Sequence, residues 1–111
     1  MELESRQELV RSMWRSICAD LENRRAAIHA EITAYPMPIP ACDADFNHLL
    51  EERAKILDEM DIASTASRKR EDSGQAAVAI EQFIARSKHI SEKTRHNLER
   101  ELTVCRSRAK Q

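Results

Sequence analysis

The sequence predicts an all-α protein, an antiparallel three-helix bundle with two long helices. One glycine and three prolines in 111 residues cannot supply the turn that a β-sandwich or barrel needs every ~8–12 residues. The same scarcity of glycine excludes a phosphate-cradling Gly-rich loop. Apolar residues also recur at steps of three, four and seven over three long stretches, the spacing of one buried stripe on a helix. With 41% apolar and 33% charged residues, the chain is polar for a globular domain but too apolar to be disordered. Its length fits a single helical domain over residues 1–111.

Helix 1 is expected over about 2–34. Leu3, Val10, Met13, Trp14, Ile17, Cys18, Leu21, Ile28 and Ile32 form its stripe, and no Gly or Pro interrupts it. The pairs Glu2/Arg6 and Asp20/Arg24 add i,i+4 support. A Pro-rich connection at 35–42 ends it, because alternating Pro36, Pro38 and Pro40 remove N–H donors and disfavour the α region at the residues before them. Tyr35, Met37 and Ile39 are expected to pack over one end of the bundle, in preference to forming a polyproline ligand.

Helix 2 is expected over about 43–66. Asp43 or Asp45 serves as N-cap, and Phe46, Leu49, Leu50, Arg53, Ile56, Leu57 and Met60 form the stripe. Arg53 sits within that stripe, so its head is expected to reach a carboxylate at the bundle edge. A turn at 67–74 follows, holding the only glycine, Gly74. Arg68, Lys69 and Arg70 there are followed at once by Glu71 and Asp72, which suits a solvated turn better than a nucleic-acid contact. Helix 3 is expected over about 75–108, on Ala77, Ile80, Phe83, Ile84, Ile90, Leu98, Leu102 and Cys105. Ser87 and Thr94 are weak links in that stripe, and Ser91 can cap a new helix. A break near 87–91, giving four helices, is the alternative to one continuous helix.

Helices of more than thirty residues are about 50 Å long at 1.5 Å per residue, whereas helix 2 is nearer 30–35 Å. On this reading the ends of helices 1 and 3 protrude as a pair with one open apolar edge, which favours a twofold homodimer. The interface residues expected are Val10, Met13, Trp14, Ile17 and Leu21, because a Trp-, Met- and Leu-bearing stripe without an intrachain cover has the composition of an interface centre. The competing reading packs Trp14 within one chain near Leu98 and Leu102, and the two contacts can hold together.

The net charge of −1 hides a gradient: −1 over residues 1–35, −5 over 36–67 and +5 over 68–111. The last helix holds many of the basic groups, but acidic residues interleave with them, so nucleic-acid binding is a minor alternative. No stretch approaches the ~18 consecutive apolar residues of a membrane span. Glu2 and Glu4 stand where a secretory signal would be basic. A cytoplasmic protein is expected, with Cys18, Cys42 and Cys105 reduced, since three widely spaced cysteines make neither a disulfide framework nor a zinc ligand set.

Candidates for chemistry are few. Cys42, Asp45 and His48 follow at three-residue intervals and form the one candidate metal group, though di-iron bundles use two Glu-x-x-His motifs and this chain has none. The ordinary reading is a helix cap, a surface histidine and a small packed cysteine. His29 lacks the adjacent lysine expected of a phospho-accepting histidine, and His89 and His96 read as solvent-facing. No catalytic residue and no cofactor is expected. The function expected is non-catalytic: an interaction, adaptor, regulatory or chaperone-like module acting with itself and with another protein. A metal- or ligand-binding helical protein is the alternative.

Overall fold

The computed structural model describes residues 2–36, 43–69 and 73–109, and among these it is all-α, with no strand. Four helices follow one another: α1 (Glu2–Ala34), α2 (Ala44–Arg68), α3 (Ser73–Arg86) and α4 (Glu92–Ala109). The particle is elongated, 59 × 24 × 18 Å, because the 33 residues of α1 span about 50 Å. α2 runs back along α1 as an antiparallel partner. The shorter α3 and α4 pack on α1 and on each other, while α2 rests on α1.

The join between α1 and α2 is made by side chains on either side of the Pro-rich connection. Asp43 is the N-cap of α2, its carboxylate accepting from the Phe46 N–H at 3.0 Å. The same oxygen accepts the Tyr35 hydroxyl at 2.8 Å. These bonds, the Phe46 N–H first, hold the Asp43 carboxyl below its ordinary range, and the bond to Asp43 pushes the Tyr35 phenol up. The Tyr35 ring lies on Phe46, centroids 5.2 Å apart, so Tyr35 packs at the bundle end as expected. Met37 and Ile39 lie outside the described residues.

The last segment is not one helix. It breaks at residues 87–91 without any glycine or proline, and the break is held by side chains. Arg95, from the first turn of α4, donates to the carbonyl of Ile84 and, at 2.8 Å, to that of Ser87. It thereby satisfies two carbonyls left open at the end of α3. Ser91 caps α4, its hydroxyl oxygen accepting the Thr94 N–H at 3.2 Å. The Ser91 N–H in turn donates to the Asp20 carboxylate of α1 at 2.6 Å. Ser91→Ala is expected to cost about 1 kcal/mol, the usual worth of a Ser cap, read as a lowered urea midpoint. An unchanged midpoint would show that Asp20 alone fixes the break.

Breaking this segment changes what covers what. α3 and α4 fold back over the first half of α1, and the main core gathers Val10, Met13, Trp14, Ile17 and Leu21 of α1 with Ala63 of α2, Ala77, Ile80, Phe83 and Ile84 of α3, Ile90 of the break, and Leu98, Leu102 and Cys105 of α4. Trp14 meets Phe83 edge-to-face, centroids 5.9 Å apart at 73°. The stripe expected to lack an intrachain cover is therefore covered within the chain. The pair that protrudes is also different: it is α1 with α2, not the first and last helices. The 14 and 18 residues of α3 and α4 reach only about 21 and 27 Å along α1. Their far end is marked by Ser91 beside Asp20. Beyond that level α1 and α2 continue as a two-helix hairpin, in which Ile28 is buried and Ile32, Phe46, Leu49 and Leu50 are half-buried. Arg53, on the same stretch of α2, makes no ion pair among the described residues.

Candidate functional site

Two of the three residues singled out for metal chemistry fall within the described residues. Asp45 and His48 are both exposed on the first turns of α2, and Cys42 lies outside the described residues. Among the described residues no group of three or more His, Cys, Asp or Glu side chains is placed to hold a metal ion. His29 and His96 are exposed. Cys105 is buried and Cys18 half-buried, neither in a disulfide. Burial pushes the Cys18 thiol up, which leaves less of the thiolate that nucleophilic chemistry needs. All five residues expected at a subunit interface, Val10, Met13, Trp14, Ile17 and Leu21, are at most 7% exposed in the core of the single chain.

The polar cluster that the fold does assemble centres on His89, expected at the surface but only 9% exposed. A continuous helix would turn residue 89 away from the stripe. The break at 87–91 resets the phase and swings the ring towards α2. There Nε2 meets Glu52 Oε2 at 2.8 Å, and Nδ1 meets Glu59 Oε2. Glu52 and Glu59 are seven residues apart, so they stand on one face of α2, two turns from each other. The Ser87 hydroxyl donates to the other oxygen of Glu59 at 2.5 Å and accepts long bonds, 3.4 Å each, from the N–H groups of His89 and Ile90.

A carboxylate only accepts hydrogen bonds. Both ring nitrogens of His89 are engaged by glutamate oxygens. His89, chiefly through its hydrogen bond, holds the Glu52 carboxyl below the ordinary range against the opposing effect of burial. No ring nitrogen is left to serve as a base, and the Ser87 proton goes to Glu59, not to His89. The cluster therefore lacks the nucleophile–base contact of a Ser–His pair. It works as a clamp tying the α3–α4 break to α2.

Next to the clamp lies a groove of about 470 Å³ between α2 and α3. Trp14 and Phe83 line its floor, and Ile62 and Ala66 of α2 face Ala79 of α3 across it. Lys55, Asp58, Gln82, Arg86 and Lys88 stand on its rim. Ile62 is 50% exposed. Sequence spacing finds Trp14 and Phe83 as core residues but not the groove, which exists because α2 and α3 both pack chiefly on α1. Arg95 and Arg100, two of the basic residues of the last helix, are engaged within the chain, Arg95 at the break and Arg100 on Asn97 at 2.9 Å.

No protein-family model matches the chain, and no curated protein and no solved structure matches it.

Proposed function

We propose that this is a non-catalytic helical interaction protein that works as a homodimer, two copies pairing through their α1–α2 hairpins. The observation that carries this is the stretch of α1 and α2 beyond the α3–α4 cover. Two helices alone cannot enclose an apolar seam, and Ile32, Phe46, Leu49 and Leu50 stay half-buried there. Leu57, seven residues after Leu50 on the same outer face of α2, is 47% exposed. Two such hairpins side by side make a four-helix bundle that buries these residues. The polar clamp supports the non-catalytic half of this reading, since its donors and acceptors are used on one another. Free Cys18 and Cys105 accord with a reducing, cytosolic setting, and no helix among the described residues is long and apolar enough to cross a membrane.

Sedimentation equilibrium tests it. The expected mass at micromolar concentration is that of two chains, and Leu57→Glu is expected to weaken association by about tenfold or more while leaving helix content unchanged. A mass of one chain throughout the micromolar range overturns the proposal, as does a dimer indifferent to Leu57→Glu and Leu50→Glu together.

A further inference from the structure

We propose that the groove between α2 and α3 is a docking site for an acidic amphipathic helix of a partner protein. Shape comes first. α2 and α3 each pack on α1 and at most slightly on one another, so the bundle is open along one seam, with the indole of Trp14 at the bottom. A helix laid in that seam would touch both walls and close the bundle, the helix-in-groove mode of recognition. The walls suit it, because Ala66 and Ala79 let a helix backbone approach closely, while Ile62 and the Trp14–Phe83 pair offer apolar surface to its anchor residues.

Charge then selects the occupant. Of the ionisable groups lining the groove, Glu59 and His89 are committed to each other. Arg86 and Lys88 have no ion-pair partner among the described residues, and Lys55 has only Glu52 at 3.8 Å. Among the described residues, Asp58 is the one carboxylate of this lining left without an ion-pair partner. Two unpartnered cations, with Lys55 beside them, against that one carboxylate favour an occupant with carboxylates flanking its apolar face, since like charges across a docking edge are repelled. This rests on the reading of the protein as an interaction module but not on its self-association, because the groove lies beside the core and the uncovered hairpin beyond it.

Trp14 is the only tryptophan, so its emission reports the groove directly. The probe is a synthetic helical peptide of about 18 residues, long enough to hold a helix, with leucines at i, i+3 and i+7 and glutamates on either side. Its counterpart carries lysines in place of the glutamates. The acidic peptide is expected to change Trp14 emission saturably at micromolar concentration, and the lysine peptide to bind more weakly by about tenfold or more. Arg86→Glu with Lys88→Glu, both at exposed positions, is expected to invert that preference. Ile62→Asp is expected to weaken the acidic peptide by about tenfold without altering the far-ultraviolet spectrum. Absence of a saturable change, equal binding of the two peptides, or indifference to both sets of substitutions overturns the proposal. So does saturation of the signal by decanoate with no response to the peptide, which would make the groove a small-molecule site. A Trp14 signal that follows protein concentration alone would give the groove to a second copy and equally overturn it. Sedimentation reads the dimer separately, so failure of one reading does not mimic failure of the other.

Discussion

Trp14→Ala is expected to destabilise the fold by roughly 3–5 kcal/mol, the range for removing a buried large aromatic side chain. Trp14 is 4% exposed and stands edge-to-face on Phe83, so the substitution removes both apolar burial and an aromatic pair worth about 0.5–1.5 kcal/mol beyond its area. The neighbours cannot collapse into the space. Met13 and Ile17 are already fully buried, and the far side of the indole is the groove. A small domain has only about 5–15 kcal/mol in total, so the variant is expected to be partly unfolded near body temperature. Urea denaturation followed by circular dichroism measures the loss, and Trp14→Phe, which keeps the ring against Phe83, should recover most of it. A loss below about 1 kcal/mol, typical of a surface position, would mean that the indole is not part of the core.

The second large effect is expected at His89. Its ring stands between Glu52 and Glu59, and His89→Ala leaves two carboxylates facing one vacated site. Removing one partner of a buried ion pair costs about 3–5 kcal/mol. The glutamate side chains retain 22% and 16% exposure, so water can reach them and roughly 3 kcal/mol, the low end, is expected. The pH dependence has a definite sign. The folded-state pKa of Glu52 lies below the ordinary glutamate value, chiefly through its hydrogen bond to His89. Its contribution to stability is therefore fully present above that value and is lost as pH falls through the lower, folded one. In His89→Ala the main cause of that depression is gone. The stability gap between wild type and variant should thus narrow as pH falls through the folded-state pKa of Glu52. A gap that stays constant from neutral to acid pH would show that the His89 loss is one of packing alone.

Much of this architecture is written in residue spacing. α1 runs over 2–34 as its uninterrupted stripe implies, and α2 extends two residues past its expected end because nothing between Ser64 and Arg68 forbids helix. The core is legible almost name by name: Val10, Met13, Trp14, Ile17, Leu21, Ile28, Ile56, Ile80, Phe83, Leu98 and Leu102 are all buried. Periodicity succeeds here because a helix has one face, and apolar groups placed on it leave water wherever it packs. The exclusion of sheet rests on composition alone, and it holds for the same kind of reason, since a chain with one glycine lacks the residues that turns require.

Tertiary contacts decided everything that depends on which neighbour covers which face. Ser87 is legible as a weak link and Ser91 as a cap, yet no propensity ends a helix at Arg86. The break exists because Arg95 takes up the carbonyls at the end of α3 and Asp20 receives the Ser91 N–H, bonds between residues 8 to 71 positions apart. From the break follow the inward turn of His89, its capture by Glu52 and Glu59, the covering of the Trp14 stripe within one chain, and the exposure of the α1–α2 hairpin. A helical stripe states that a face will be buried but not by what, because the apolar driving force is non-directional. Only the paired charges and backbone bonds at 87–95, which are directional, select one arrangement of these helices over another.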